Sequence, residues 1–236
     1  MICIILCAGY ATRLYPLTLD KPKALLEIKG KPIINYIVEK IPKEVEKIFI
    51  ISNDKFCNHF VWWLSRKKEL IDKIEIINDG SISNENRCGG VMDLWLAIEE
   101  GNIDDDLLVI LGDNLFSFSL NDFINFFNQH KKTTLGVREM DKDRLKNFGI
   151  VKVSENKIID FEEKPENPQS NLISTGIYIF PREDINKIKE YTLTNLNKEG
   201  PGYLIKHFLE TQDVYAFKFL GDWVDIGTIE EYEQMK

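Results

Sequence analysis

Short unbroken apolar runs alternate with longer amphipathic segments over the first 130 residues. The apolar runs predict strands buried on both faces, at residues 2–6, 47–52, 74–77 and 107–111. The segments between them repeat apolar residues at helical spacing and predict helices at 32–41, 55–70, 91–100 and 116–130. The last of these is expected to start near Ser119 or Asn121 as its cap. This alternation predicts an α/β fold with a doubly wound, mostly parallel sheet and a ligand crevice at the carboxyl ends of its strands.

The pattern changes after residue 132 and becomes a mixed one. Strand-like segments follow at short spacing, at 133–139, 150–153, 157–162, 173–180 and 214–219. Further helices are predicted at 182–191, 202–210 and 229–235. Because no linker rich in Ser, Gly or Pro divides the chain, we expect one domain over residues 1–236. Its first half, 1–131, would bind one ligand, and 132–236 would complete the site.

Composition narrows the classes of function. The chain is 44% hydrophobic and 29% charged, as in a globular domain, and its net charge of −8 disfavours nucleic-acid or membrane-surface binding. The first 31 residues nevertheless hold five Lys or Arg against two acidic residues, which favours a small anionic ligand. No apolar run is long enough for a membrane span, no signal peptide is evident, and the four cysteines lack disulfide or zinc spacing. These features predict a cytoplasmic protein.

The segment after the first predicted strand can bind phosphate. It reads Leu6-Cys-Ala-Gly-Tyr-Ala-Thr-Arg-Leu-Tyr-Pro-Leu-Thr18 and continues into Lys21-Pro-Lys-Ala-Leu-Leu26. Backbone N–H groups of such a loop can surround phosphate oxygens, and Gly9 permits close approach. Arg13 can bind phosphate with two hydrogen bonds, and Lys23 adds a compact charge. The segment contains neither the dinucleotide-binding nor the P-loop pattern.

Acidic and polar motifs recur further along the chain. Leu111-Gly-Asp-Asn114 places a carboxylate at the end of a buried strand, where Mg²⁺ could bind together with phosphates. Gly221-Asp-Trp-Val-Asp-Ile-Gly-Thr228 supplies two further carboxylates near the C-terminus. Phe161-Glu-Glu-Lys-Pro165 and Ser174-Thr-Gly-Ile-Tyr178 lie between them, and a polar loop at 78–90 leads into a predicted helix.

Taken together and in this order, the motifs resemble those of the sugar nucleotidyltransferases. That family's first signature reads L-x-x-G-x-G-T-R-L-x-P-L-T, followed by P-K-x-L. The matching positions here are Leu6, Gly9, Thr12, Arg13, Leu14, Pro16, Leu17, Thr18, Pro22, Lys23 and Leu25. Ala11 replaces the second glycine, and we expect the loop to tolerate it with a negative φ. The base-reading loop also departs from the family, because Gly90-Val-Met-Asp93 replaces small residues, so the nucleobase stays open.

The resemblance implies a role for each matched position. The residues implied in catalysis are Arg13, Lys23 and Lys164. Those implied in nucleotide binding are Leu6, Ala8, Gly9, Tyr10, Ala11, Thr12 and Gly89. In the loop that departs from the family, Asn84, Asn86 and Arg87 are candidates for base or phosphate contacts. Those implied around the sugar are Asp113, Phe148, Gly149, Glu163, Thr175 and Gly176. The implied cofactor is Mg²⁺, held by Asp113 and Asp225, with Asp222 as a nearby competitor for the second position.

The implied reaction joins an NTP and a sugar-1-phosphate to give an NDP-sugar and pyrophosphate. It involves no nucleic acid or membrane and is compatible with a homodimer. One alternative is a CTP-dependent cytidylyltransferase for a non-sugar phosphate such as phosphocholine, whose pocket would need an aromatic cage. Another is a nucleotide-binding sensor without catalysis, which should lack one of Arg13, Lys23, Asp113 or Asp225. A related glycosyltransferase would show D-x-D, which Gly112-Asp113-Asn114 does not.

Overall fold

Thirteen strands and seven helices form the regular structure of residues 1–236, all of which the computed structural model describes. The strands are β1 (Ile2–Leu6), β2 (Glu27–Ile28), β3 (Lys31–Pro32), β4 (Lys47–Ser52), β5 (Ile74–Asn78), β6 (Leu107–Leu111), β7 (Asn114–Phe116), β8 (Thr134–Glu139), β9 (Gly149–Ser154), β10 (Lys157–Glu163), β11 (Leu172–Phe180), β12 (Tyr215–Lys218) and β13 (Trp223–Asp225). The helices are α1 (Ile33–Val38), α2 (Asp54–Ser65), α3 (Gly90–Glu100), α4 (Leu120–His130), α5 (Ile185–Thr192), α6 (Gly202–Phe208) and α7 (Ile229–Met235).

A nine-stranded mixed sheet spans both halves of the chain, in the order β5-β4-β1-β6-β11-β8-β12-β10-β9. The strands β5, β4, β1 and β6 are parallel to one another, and Ile2 of β1 is in register with Lys47 of β4 and Leu107 of β6. Antiparallel pairing begins where β11 meets β6, and parallel pairing returns between β12 and β8. The expected mixed α/β class is confirmed. The expectation of a mostly parallel sheet is corrected, because only four of the nine strand pairings are parallel, and three of these four join the N-terminal strands β5, β4, β1 and β6.

Alternate residues of β1 enter two different cores, one on each face of the sheet. Cys3 and Ile5 belong to a cluster of 31 buried residues that includes apolar side chains of α1, α2 and α4. Ile4 and Leu6 belong to a cluster of 28 buried residues that includes those of α3, α5 and α6. Because side chains alternate across a strand, helices cover the sheet on both faces. The carboxyl ends of β1 and β6 remain open for a ligand.

A third, small core attaches the C-terminal segment to the first loop. It contains six buried residues, among them Leu14 of the loop and Tyr232 of α7. The hydroxyl of Tyr232 donates to the carbonyl of Glu27 at 2.9 Å. Thr228 caps α7, and its hydroxyl accepts from the backbone N–H of Glu231. These contacts hold α7 beside the loop that follows β1.

Several element bounds differ from the sequence predictions. The predicted cap at Ser119 is confirmed, and the helix of segment 116–130 begins at Leu120, since residues 114–116 form β7. The helix predicted at 55–70 ends at Ser65, and a 3₁₀ turn follows at Lys68–Leu70. The helix predicted at 32–41 is shortened to α1, since Pro32 pairs with Glu27 in a two-stranded ribbon. None of the seven helices combines the length and apolar character needed to cross a bilayer.

Candidate active site

The loop after β1 is fixed by hydrogen bonds to neighbouring elements. The amide of Asn53 donates to the carbonyl of Ala8 at 2.8 Å, and the hydroxyl of Tyr10 donates to the carbonyl of Ser81 at 2.8 Å. Between these two anchors, Gly9 is exposed, and a Cβ placed on it would meet no protein atom within 4 Å. The anchored loop therefore presents its backbone to open space, as a phosphate site requires.

Ala11 adopts a left-handed backbone conformation, with φ 48° and ψ 45°. The expectation of a negative φ at this position was therefore wrong. Its carbonyl accepts from the hydroxyl of Thr18 at 2.9 Å and from the backbone N–H of Leu14 at 2.9 Å. These two bonds hold the turn in a conformation that costs an L-residue roughly 1–2 kcal/mol. Glycine adopts the same conformation without that cost, which explains the glycine in the family's signature.

Lys23, Asp113 and Asp225 converge at the carboxyl end of β6. The ammonium of Lys23 donates to Asp113 at 2.6 Å and to Asp225 at 3.3 Å. Asp113 follows Gly112, whose N–H donates to the carbonyl of Leu6 at 2.9 Å. A Cβ on Gly112 would lie 2.3 Å from Sγ of Cys7. Only glycine therefore lets the chain turn closely enough to aim Asp113 into the crevice.

Asp225 reaches this point through pairing of two three-residue strands. In the antiparallel pair of β13 and β7, Asp225 lies opposite Asn114, the residue after Asp113. The carbonyl of Thr175 accepts from the Asn114 amide at 2.8 Å and from the Trp223 indole N–H at 3.1 Å. One carbonyl thus joins β7, β13 and β11. This network places the two carboxylates side by side.

The three charges shift one another's pKa values. Burial acts to raise the pKa of Asp113, but the ammonium of Lys23 outweighs it and holds that pKa below its usual range. Burial, aided by the negative charge of Asp113, raises the pKa of Asp225 to about 6. Burial acts to lower the pKa of Lys23, but the two carboxylates raise it. The lysine ammonium thus occupies a position that favours positive charge, and two adjacent carboxylates are donors that suit Mg²⁺.

A crevice of about 670 Å³ extends from Asp113 between the two halves of the chain. Most of the predicted site residues line it. They are Leu6, Ala8, Gly9, Tyr10, Ala11, Thr12, Arg13, Asn84, Arg87, Gly89, Asp113, Glu163 and Lys164. A smaller recess of about 160 Å³ shares Arg13 and Asp113 and adds Lys23 and Gly227. The structure therefore brings the implied nucleotide and phosphate residues to two neighbouring cavities, and Asp225, which lines neither, contacts Lys23 of the smaller one.

Two cations in the crevice have no acidic partner. Arg13 and Lys164 are both exposed, and neither forms an ion pair. Glu163 lies next to Lys164 at the end of β10, and its carboxylate accepts no hydrogen bond from the protein. Burial raises the pKa of Glu163, although the charge of Lys164 opposes the shift. These groups can meet an anionic ligand and its hydroxyls without first breaking a protein contact.

Arg87 is held by a partner that the sequence did not indicate. Its Nε and Nη2 donate to the two carboxylate oxygens of Glu199, each at 3.0 Å. The N–H groups of Gly90 and Val91 donate to the carbonyls of Glu199 and Lys198. The first two N–H groups of α3 thus donate hydrogen bonds to protein carbonyls and are not free to bind a ligand. Because 112 positions separate Arg87 from Glu199, only the folded chain reveals this pairing.

The lack of a side chain at Gly89 allows residues 198–199 to pack closely against the N-terminus of α3. Its φ is +89°, and a Cβ there would lie 2.6 Å from the carbonyl oxygen of Lys198. The remaining lining residues that sequence reasoning missed lie mostly near this segment. They are Gly90, Asp93, Leu111, Tyr178, Glu199, Gly200, Pro201, Gly202 and Tyr203. Among these residues, only the segment that ends in Asp93 gave a sign in the sequence, because it replaces small residues of the family pattern.

Four residues predicted around the sugar lie beneath the crevice rather than on its surface. Phe148 packs edge-on against Trp223, with ring centroids 5.5 Å apart. Gly149 makes room for Phe161, and Gly176, at φ +74°, makes room for Leu111. Thr175 is 1% exposed, and its hydroxyl donates to the carbonyl of Gly136 at 2.8 Å. In this structure these four residues support the site, and their side chains do not line it.

The mixed α/β fold, with a crevice at the carboxyl ends of its central parallel strands, is that of the nucleotidyltransferases. The family model described as "Nucleotidyl transferase" matches residues 2–236, and the chain belongs to that family. The bifunctional protein GlmU of Methanocaldococcus jannaschii is 33% identical over 231 residues, which cover 95% of this chain and 50% of that protein. A Sulfolobus acidocaldarius protein assigned as a mannose-1-phosphate guanyltransferase is 30% identical, over 97% of this chain and 60% of its own length.

A solved structure extends the similarity to the whole fold. A Bacillus anthracis protein assigned as a glucose-1-phosphate thymidylyltransferase, crystallised with sucrose, superposes with a TM-score of 0.83 at 27% identity. The match covers 100% of this chain and 93% of that one. The chain spans about half the length of GlmU.

Proposed function

We propose that this chain is a sugar-1-phosphate nucleotidylyltransferase, which converts an NTP and a sugar-1-phosphate to an NDP-sugar and pyrophosphate. The observation that carries the proposal is the convergence of Lys23 and Asp225 on Asp113, which lines a crevice whose other side holds Glu163 and Lys164. One end of this space suits a triphosphate, and the other suits a phosphorylated sugar. The names of the relatives, which specify sugar phosphates, support the same substrate class.

The attacking group needs no general base. A phosphate monoester loses its second proton with a pKa near ~6, so the sugar phosphate is already anionic at neutral pH. The barrier then lies in bringing two anions together and aligning the attacking and leaving oxygens in line. Cationic side chains fixed in a crevice perform this task, because they need not reorganise during the reaction.

Arg13 and Lys23 take the nucleotide side in this proposal. The guanidinium of Arg13 is free of ion pairs and beside the exposed backbone of Gly9, so it can bind the triphosphate. Lys23 would neutralise charge on the departing pyrophosphate. When Mg²⁺ is bound by Asp113 and Asp225, it would supply further charge neutralisation between the two phosphate groups.

Lys164 and Glu163 take the sugar side. The free ammonium of Lys164 would bind the phosphate of the sugar and reduce its repulsion from the nucleotide. The carboxylate of Glu163 is unpaired within the crevice and would accept hydrogen bonds from sugar hydroxyls. A half-buried crevice carboxylate without a protein hydrogen-bond partner suits a polyhydroxylated substrate better than an apolar one. A cytoplasmic location and a homodimer stay predictions.

Pyrophosphate release in the presence of Mg²⁺ tests the proposal. The assay combines ATP, GTP, CTP, UTP or dTTP with a panel of sugar-1-phosphates and with phosphocholine. Release that requires one NTP together with one sugar-1-phosphate would support the proposal and name the base and the sugar. Release with phosphocholine alone would favour the cytidylyltransferase alternative. Nucleotide binding without release from any pair would favour the sensor.

A further inference from the structure

A second group of metal-binding side chains lies beside the crevice, apart from Asp113 and Asp225. Asp79 follows β5, Cys88 lies in the loop before α3, and Asp93 stands in the first turn of α3. One ligand atom from each residue lies within 4.8 Å of the other two. The proposed reaction does not use this cluster.

Asp79 is oriented for binding by its own turn. Oδ1 of Asp79 accepts from the backbone N–H of Ser81 at 2.7 Å and from the Ser81 hydroxyl at 2.8 Å. These bonds fix the carboxylate before any ligand arrives. Its Oδ2 accepts from the Ser81 hydroxyl at 2.9 Å, and the carboxyl groups of Asp79 and Asp93 also share a hydrogen bond.

Asp93 carries the observation that points to a missing ligand. The residue is 6% exposed, and its Oδ1 is buried without any hydrogen-bond partner. An unsatisfied buried carboxylate oxygen costs about 1–3 kcal/mol or more, so such an atom calls for an explanation. Neither Asp79 nor Asp93 forms a salt bridge with Lys or Arg. The pair therefore concentrates negative charge with no protein cation to balance it.

Without a bound cation, a proton on the carboxyl pair of Asp79 and Asp93 reduces that negative charge. Burial, with the charge of Asp79 next in effect, raises the pKa of Asp93 to about 8. Cys88 is exposed, and its thiol donates to the backbone carbonyl of Asp79 at 3.6 Å. A divalent cation could enter from the solvent at Cys88 and take the place of these protons.

We infer that Asp79, Cys88 and Asp93 bind one thiolate-preferring divalent cation of the Zn²⁺ type. Three protein ligands of mixed oxygen and sulfur suit Zn²⁺, with water as a fourth ligand, whereas Mg²⁺ takes oxygen ligands alone. Binding releases the proton of the Cys88 thiol and the proton held by the two carboxyls, and both pass to solvent. The bound ion would join the end of β5 to the first turn of α3. It would thereby stiffen the loop at 78–90, which borders the crevice.

Metal binding by the purified, untagged, reduced chain tests this inference without any activity assay. Equilibrium dialysis against Zn²⁺ measures stoichiometry and affinity, and Co²⁺ reports sulfur ligation through a thiolate-to-cobalt absorption band. We expect one Zn²⁺ per chain and a Co²⁺ spectrum with that band. Cys88→Ser, on an exposed position, should abolish the band and weaken Zn²⁺ binding by more than the about 10–100-fold that loss of an outer-shell partner costs. Asp93→Asn, which keeps the size of the side chain, should weaken binding to a similar extent.

Two control variants separate this site from other thiols and carboxylates. Cys57→Ser removes a half-buried thiol of α2, and Asp113→Asn alters the other carboxylate pair. Both should retain the Co²⁺ band and the Zn²⁺ affinity of the wild type. Absence of the band in the wild type, or its survival in Cys88→Ser, would overturn the inference. Unchanged Zn²⁺ affinity in Asp93→Asn would overturn it as well.

Discussion

The ammonium of Lys23 lies 2.6 Å from the carboxylate of Asp113, although 90 positions separate the two residues in the chain. The same ammonium donates to Asp225 at 3.3 Å, across 202 positions. Three distant parts of the sequence thus meet at the carboxyl ends of β1 and β6, where open α/β sheets bind their ligands. The proposed reaction depends on this meeting point more than on any one motif.

Asp225→Asn should remove one of the two proposed metal carboxylates while leaving the fold intact. We expect turnover to fall by about 10²–10³-fold and Mg²⁺ affinity to weaken, because a preorganised charge is lost where the reaction develops charge. Steady-state kinetics and Mg²⁺ titration would measure both effects. Asp222→Asn is the matched control, since Asp222 is exposed and lies in the same motif. Equal loss of activity in both variants would contradict the assignment.

Ala11→Gly should stabilise the chain. The left-handed conformation at φ 48° penalises alanine but not glycine, and this gain exceeds the greater flexibility of glycine in the unfolded chain. We expect the free energy of unfolding to rise by about 0.5–1 kcal/mol, measured by urea denaturation. Ala24→Gly, in a 3₁₀ turn with right-handed backbone, should instead lower it. A loss of stability in Ala11→Gly would show that the strain at this position is absent.

Gly112→Ala should destabilise the chain through one contact. The new Cβ would lie 2.3 Å from Sγ of Cys7 and 3.0 Å from the carbonyl of Leu6, so the turn must shift. Forcing a methyl group into a packed site costs about 1–3 kcal/mol, which denaturation would detect. Gly200→Ala, where a Cβ meets no atom within 4 Å, should change little. If the double variant with Cys7→Ala regains no stability, the clash is not with the thiol.

Glu163→Gln should weaken sugar binding more than it slows turnover. A carboxylate that accepts from a hydroxyl contributes about 1.5–3 kcal/mol, so we expect the KM for sugar-1-phosphate to rise roughly 10–100-fold. Glu162→Gln alters the adjacent exposed position of β10 and serves as its control. A KM that stays at the wild-type value in Glu163→Gln would remove this residue from the sugar site.

The same variant changes how stability depends on pH. Burial raises the pKa of Glu163 in the folded chain, so the folded state holds the proton more tightly than the unfolded state. Its contribution to the free energy of unfolding is therefore fully present below the unfolded pKa, near ~4.3, and is lost as pH rises through the raised folded pKa. Relative to the wild type, Glu163→Gln should gain stability across that window. Denaturation at a series of pH values measures the difference, and a constant difference would contradict it.

The buried strands could be predicted because they are contiguous in sequence. The apolar runs of β1, β4 and β6 appear at the predicted positions, and the resemblance assigned Lys23, Asp113 and Asp225 to one site before the structure brought them together. The three-residue strands β7 and β13 carry too few residues for a recognisable pattern. Their pairing is set by the shared carbonyl of Thr175, a contact between distant segments.

Other features depend on geometry that sequence patterns do not encode. The positive φ of Ala11 follows from the bonds to its carbonyl, and the ion pair of Arg87 follows from the position of Glu199. Thr175 matches a family position expected beside the sugar, yet its buried hydroxyl donates a hydrogen bond to the carbonyl of Gly136. Most of the motif residues therefore lie at the crevice. Which of them line it and which pack beneath it depends on the folded structure.

The most direct test of the central claim follows the oxygen atoms of the sugar phosphate. The enzyme is supplied with Mg²⁺, the NTP identified by the release assay, and a sugar-1-phosphate whose phosphate oxygens carry a heavy isotope. Attack of that phosphate on the α-phosphorus of the NTP predicts that mass spectrometry finds every label in the NDP-sugar and none in pyrophosphate. Label in the released pyrophosphate, or an unlabelled NDP-sugar, would contradict the proposed reaction.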